Sequence, residues 1–142
     1  MPLSPEALLA ANVNPATGLA TDYLNHFNEV AMLVDMLPVM QEAADDILAW
    51  APRPYAEHFR VTGYSGAAVA AAAYEAADPA VRDRFDAACR AVEAAVSDIQ
   101  HHLRAGEAIA PDAAASLYAL IADAGGVING EAAQSAIDAL FD

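Results

Sequence analysis

The sequence predicts an all-α protein, folded as an irregular helical bundle of five to seven helices with one long central helix at about residues 79–104. Three observations support this fold class. Alanine, the strongest helix former, occupies 38 of the 142 positions. Large apolar residues recur at spacings of three and four, the period of an amphipathic helix. Residues branched at Cβ are few and scattered, so no stretch is typical of a strand.

The length of 142 residues suits one domain. Several prolines and asparagines and Gly18 lie within residues 1–19, a composition typical of a loosely packed segment. We therefore expect a flexible N-terminal arm at residues 1–19, followed by a single helical domain at residues 20–142.

The first helix of this domain is expected to begin at Thr21, a good N-cap residue, and to end at Leu37, before Pro38. Its apolar residues form one stripe with spacings of four, three, four and three: Tyr23, Phe27, Val30, Val34 and Leu37. A second helix is expected from about Val39 to Trp50. Both helices have an apolar face that a bundle can bury.

A turn is expected at residues 50–55, because Pro52 and Pro54 have no amide donor and restrict the residues before them. A short helix should follow at residues 55–61, with Pro54 suited to its first turn. An alanine-rich helix is then expected from Ser65, as its N-cap, to about residue 77.

The long central helix has the clearest boundaries. Asp78 is a good N-cap, Pro79 suits the first helical position, and Gly106 ends the helix after about Arg104. Its apolar positions share one face: Val81, Phe85, Ala88, Val92, Val96, Ile99 and Leu103.

Two shorter helices are expected after the long one, at about residues 111–124 and 131–141. Gly125 and Gly126 should separate them, together with the turn-forming pair Asn129-Gly130. With these, the domain has the helix count of a small irregular bundle.

The charge of the chain restricts its partners. Twenty acidic residues stand against six arginines and no lysine, which gives a net charge of −14. This charge repels phosphate backbones and anionic lipid, so we expect neither nucleic-acid binding nor membrane binding. An acidic surface suits solubility, a cation or a protein partner with a basic face.

The cellular location is expected to be cytoplasmic. Residues 1–6 lack the basic start and apolar stretch of a signal peptide, and no run approaches the ~20 apolar residues of a membrane span. The single cysteine, Cys89, cannot form an internal disulfide. Many alanines and arginines without lysine are typical of a GC-rich bacterial genome.

A polar patch lies on the first helix of the domain. Asp22, Asn25, His26 and Glu29 fall on one side at 100° per residue. A histidine next to carboxylates could bind a divalent metal or act as an acid–base pair. The alternative is that these residues form the solvated face of an amphipathic helix.

An aromatic turn follows in the sequence, formed by Trp50, Tyr55, His58 and Phe59 around the two prolines. If His58 reaches the polar patch, then His26, Glu29 and His58 could form a mononuclear metal site. The alternative is a minor core that fixes the turn, with His58 hydrogen-bonded at its edge. A divalent metal is the one cofactor that this region could hold, and otherwise no cofactor is expected.

The C-terminal residues contain Gln134, then Ile137-Asp138, then Leu140-Phe141. This stretch of about nine residues resembles the helical peptides by which flagellar switch proteins and the chemotaxis phosphatase CheZ bind the response regulator CheY. The resemblance implies binding, with Ile137, Leu140 and Phe141 as anchors. It does not imply dephosphorylation, because the Asp-x-x-x-Gln spacing of such phosphatases does not occur in the chain. Alternatively, the helix packs as the last one of its own bundle.

Three functions are compatible with these observations. We expect a non-enzymatic protein that acts through protein–protein interaction, in a regulatory or adaptor role, with self-association also open to it. The second hypothesis is a metal-binding protein that uses His26, Glu29 and His58. The third is a chemotaxis or phosphorelay accessory protein that binds a response regulator through its C-terminal helix.

Overall fold

The computed structural model describes residues 3–130, and this part of the chain is all-helical, without a strand. Within residues 3–130, seven α-helices follow one another: α1 (Pro5–Ala10), α2 (Asn25–Met36), α3 (Ala43–Ala49), α4 (Tyr55–Val61), α5 (Ala67–Ala76), α6 (Pro79–Arg104) and α7 (Ala113–Ile128). The predicted irregular bundle with one long helix is confirmed. None of these helices is both long enough and apolar enough to cross a membrane.

Helix α6 has the boundaries that the sequence predicts. The Asp78 carboxylate accepts a hydrogen bond from the Ala80 amide at 2.9 Å, and Pro79 occupies the first turn. Gly106, with φ of +72°, ends the helix in a conformation that glycine adopts without strain. Its buried face consists of Phe85, Cys89, Val92, Val96 and Ile99.

Helix α7 crosses the two glycines that were expected to end it. It continues through Gly125 and Gly126 to Ile128, and it packs against both α6 and α2. Glycine costs about 1 kcal/mol in a helix, but Ala124 and Ile128 are fully enclosed, and their burial offsets that cost. The predicted separation at this point is wrong, because tertiary packing outweighs the local preference.

The helix starts near α2 and α3 also differ from the expected ones. Residues Thr21–Leu24 form a 3₁₀ turn, and α2 begins only at Asn25. The second helix begins at Ala43 rather than at Val39, because successive turns occupy the residues after Met36. The consequence is an irregular corner between α2 and α3 rather than a tight helical hairpin.

Residues 3–19, the described part of the segment expected to be a flexible arm, lie against the rest of the domain. Ser4 caps α1 by accepting from the Ala7 amide at 3.1 Å, and α1 lies against α5. The buried side chains of this segment are Leu8, Ala11, Val13, Thr17 and Leu19. Burial of their apolar area drives this segment to pack on the domain, which the composition of the segment does not reveal.

The centre of the molecule is an aromatic cluster whose rings come from four elements: the 3₁₀ turn, α2, α4 and α6. The ring of Tyr23 lies 5.5 Å from Phe27, 5.0 Å from Tyr55 and 6.0 Å from Phe85, measured between centroids. Phe59 contacts Tyr55 edge-on at 4.9 Å. Such tilted and edge-on pairs are the favourable aromatic geometries. This cluster fixes the turn between α3 and α4, where the candidate site lies.

Candidate functional site

The turn between α3 and α4, residues 50–54, is here called the proline strap. Its backbone is extended, with ψ of 139° at Trp50 and 148° at Pro54. Two of its residues are prolines, which have no N–H to donate. The strap therefore forms no regular structure of its own, and its carbonyl groups need partners elsewhere.

Three different elements supply those partners. Gln100 of α6 donates from Nε2 to the carbonyl oxygens of Trp50 and Ile47, both at 2.9 Å. His26 of α2 donates from Nε2 to the Ala51 carbonyl at 2.6 Å. The Tyr23 hydroxyl donates to the Arg53 carbonyl at 2.5 Å. The strap is thus held from three sides.

His26 and Trp50 are bound to each other as well as to the strap. The Trp50 indole donates from Nε1 to the His26 carbonyl at 2.9 Å, and the two rings stack with centroids 4.7 Å apart. Both side chains are buried, and burial lowers the pKa of His26. A neutral imidazole that carries its proton on Nε2 fits this arrangement.

His58 has a different partner, the carboxylate of Asp22. The His58 Nε2 and the Asp22 Oδ2 are 3.0 Å apart, and Asn25 donates to the other oxygen of Asp22 at 3.1 Å. His58 is only 2% exposed, and its ring lies edge-on to Tyr23 and Phe59. Its Nδ1 has no hydrogen-bond partner within residues 3–130.

The structure does not bring the three predicted metal ligands together. His26 faces the Ala51 carbonyl, His58 faces Asp22, and Glu29 is exposed on the outside of α2. Within the described chain, no group of three or more histidine, cysteine, aspartate or glutamate residues could hold a metal ion. Each imidazole is turned toward its own hydrogen-bond partner inside the fold, which explains why the predicted cluster does not form.

The four residues of the predicted aromatic turn lie in different surroundings. Trp50 borders a groove next to α2, whereas Tyr55 accepts from the Ala20 amide at 2.8 Å and stacks on Tyr74. His58 and Phe59 belong to the buried aromatic cluster. The turn therefore separates a surface on one side from the core on the other.

The groove, the larger of two cavities beside the strap, has a volume of about 910 Å³ and runs along α2 between α3 and the strap. Trp50, Ala51 and Pro52 form its wall on the strap side. Helix α2 contributes one polar end and one apolar end, in the order Asn25, His26, Asn28, Glu29, Met32, Leu33 and Met36. The predicted polar patch is therefore one end of a longer surface.

The apolar end continues beyond the groove onto the corner after α2. Met32 is 53% exposed, Met36 is half-buried, and at the corner Val39 is 86% and Met40 is 42% exposed. We call these four residues the methionine face. Sequence reasoning did not identify it as a site, although its signal was present: three methionines at a spacing of four, at positions 32, 36 and 40.

Carboxylates surround this surface. Glu29, Asp46 and Glu57 line the groove, and Arg53 is its only cationic lining residue among residues 3–130. Exposed acidic residues stand close by in sequence on α2 and at α3: Asp35, Glu42 and Asp45. The local charge thus has the sign of the whole chain, whose net charge is −14. Cations are attracted to such a surface, and anions are repelled.

A second cavity of about 580 Å³ lies on the other side of the strap, against α5 and α6. Tyr74 donates there to Asp86 at 2.7 Å, and burial raises the pKa of Glu93. Burial raises the pKa of Cys89 to about 12, so this thiol stays protonated and is a poor nucleophile. Pro52 and Arg53 line this cavity and the groove alike.

The predicted partner-binding residues Ile137, Leu140 and Phe141 lie outside the described residues. Comparison of the chain with protein-family models, with curated proteins and with solved structures gives no match. The function is therefore argued from the geometry of the site.

Proposed function

We propose that this chain is a non-enzymatic protein-interaction domain, and that the groove together with the methionine face is its contact surface. The observation that supports the proposal is the exposure of these apolar side chains, with Val39 at 86% and Met32 at 53%. Exposed apolar side chains grouped beside a groove are typical of a protein-binding site. Scattered single apolar residues would need no such explanation.

The residue types support binding over catalysis. Methionine is flexible and polarisable, and it adapts to the shape of an apolar partner. The two buried histidines are engaged inside the fold: His26 with the Ala51 carbonyl, and His58 with the Asp22 carboxylate. A binding surface needs no free acid, base or nucleophile, so the proposal accounts for these contacts.

Site-specific photocrosslinking in the cells that naturally produce the protein tests the proposal. A benzophenone amino acid at position 36 lies in the contact surface, whereas the same group at position 61 replaces Val61, an exposed residue of α4 outside the groove. We expect a discrete adduct with a single protein from position 36 and none from position 61.

A matched variant shows whether the adduct depends on the surface. Val39→Ser and Met40→Ser remove apolar area from two exposed positions and should leave the fold intact, so the adduct from position 36 should fall severalfold. The absence of an adduct at position 36, or the same adducts from positions 36 and 61, would overturn the proposal.

A further inference from the structure

We infer that the partner binds as a cationic amphipathic helix lying along α2 in the groove. This inference rests on the proposed function and specifies its partner. Three observations support the inference: the wall formed by the strap, the length of the groove and the charge of the groove.

The strap offers few free backbone groups to a partner strand. A partner strand would need free N–H and C=O groups along an edge. Pro52 and Pro54 have no N–H, and the carbonyls of Trp50, Ala51 and Arg53 accept from Gln100, His26 and Tyr23. The groove therefore has to recognise side chains, and a helix presents side chains while satisfying its own backbone.

The dimensions of the groove fit a helix. Its lining residues on α2 run from Asn25 to Met36, the whole helix of 12 residues, which spans about 18 Å at 1.5 Å per residue. A partner helix of three turns or more covers this length and presents anchors at spacings of three and four. The apolar anchors would meet Met32, Leu33 and Met36, and Trp50 would form the side wall.

The charge of the groove determines the charge of the partner. Glu29 and Asp46 have no ion-pair partner within residues 3–130, whereas Glu57 is paired with Arg60 at 3.8 Å. A partner with lysine or arginine beside its apolar stripe would pair with these carboxylates. A second copy of this chain, with its net charge of −14, is disfavoured, and so are its own residues 131–142, which contain three acids and no cation.

Designed peptides of about 14 residues, roughly four helical turns, test the inference on the full chain. One has leucine at spacings of three and four with lysine beside the stripe, and a second has glutamate at the lysine positions. A third has the same charge as the first but a proline-rich, extended backbone. Calorimetry gives the affinity, and the emission of Trp50, the single tryptophan, shows whether the groove is occupied.

We expect the lysine peptide to bind and to shift the Trp50 emission, and the glutamate peptide to bind at least about tenfold more weakly. The double variant Glu29→Gln with Asp46→Asn removes two groove carboxylates, and it should lower the affinity for the lysine peptide severalfold. The matched control, Asp83→Asn with Asp123→Asn, removes two exposed carboxylates outside the groove and should leave its affinity unchanged.

Equal affinity for the lysine and glutamate peptides, or tighter binding of the proline-rich peptide, would overturn the inference. The inference would also be overturned if the groove variant and the control variant lowered the affinity for the lysine peptide equally. If no peptide binds while crosslinking at position 36 remains specific, the helical cationic partner is wrong and the interaction surface stands. If crosslinking also fails, both are wrong.

Discussion

Two hydrogen bonds tie His26 to the start of the strap: the Trp50 indole donates to the His26 carbonyl, and the His26 imidazole donates to the carbonyl of Ala51, the residue after Trp50. The rings of His26 and Trp50 are stacked at 4.7 Å. The two residues are 24 positions apart, so this pair closes a large loop and holds the strap against α2. These contacts make His26 a structural residue.

Replacement of His26 by alanine should destabilise the protein. It leaves the Ala51 carbonyl without its donor and removes the ring on which Trp50 stacks, for a loss of about 2–4 kcal/mol in the free energy of unfolding. Urea unfolding followed by Trp50 emission measures this loss. His101→Ala, at an exposed position of α6, is the control and should change the free energy by less than about 0.5 kcal/mol.

The stability should depend on pH through His26. Because burial lowers the pKa of the folded imidazole, the unfolded chain binds its proton first as the pH falls. The contribution of His26 is therefore fully present above the unfolded pKa of about 6.5 and is lost progressively below it. His26→Gln retains a donor to Ala51 but does not titrate. The difference in unfolding free energy between wild type and this variant should shrink from pH 7 to pH 5, and a constant difference would contradict the prediction.

The contact between Asp22 and His58 should also contribute to stability. Asp22→Ala removes the acceptor of a buried imidazole and should cost about 1–3 kcal/mol, while Asp22→Asn keeps an oxygen acceptor and should cost less. Asp35→Ala, on the exposed side of α2, is the matched control. Thermal or urea unfolding would rank the three variants, and an effect of Asp22→Ala no larger than the control would refute the role of this contact.

The close approach of α1 to the start of α5 should make Gly66 intolerant of a side chain. A Cβ atom at Gly66 would lie 2.6 Å from the Cβ of Ala11, well inside van der Waals contact. Gly66→Ala should therefore destabilise the protein by about 1–3 kcal/mol, and adding Ala11→Gly should recover part of the loss. An unchanged melting temperature in Gly66→Ala would indicate that residues 3–19 do not pack on the domain in solution.

Residues 131–142 should be dispensable for folding if they bind a response regulator, as their resemblance to the chemotaxis peptides implies. Deletion should then shift the melting temperature by less than about 2 °C, because a ΔΔG of 1 kcal/mol shifts a domain of this size by about 2–8 °C. Binding to a purified chemotaxis response regulator should be lost on deletion, and also in Ile137→Ala with Phe141→Ala. A large loss of stability would assign this segment to the core instead.

The sequence predicts those features of the fold that depend on neighbouring residues. The boundaries of α6 follow from Asp78, Pro79 and Gly106, which act within one turn of the helix ends. The path of α7 through Gly125 and the packing of residues 3–19 depend on contacts with distant elements. Composition does not contain those contacts, so the sequence could predict neither of them.

In the candidate site, too, contacts between residues distant in sequence could not be predicted. The sequence left open whether His58 reaches the polar patch, and in the structure it contacts Asp22 of that patch. The direction of each imidazole was not predicted, since the partner of His26 is 25 residues away and that of His58 is 36 away. The methionine face depended on where α2 ends, at Met36 before an irregular corner, and the predicted helix over residues 39–50 concealed that corner.

The fixed strap and the methionine face give the two ends of the groove opposite mechanical properties. The strap end is preorganised by prolines and by three hydrogen bonds, so a partner that fits it loses little conformational entropy of the receptor. The far end consists of flexible thioether chains that can adopt new rotamers around differently shaped anchors. Selectivity should therefore reside in the partner residues next to Trp50, while those next to Met36 should tolerate substitution.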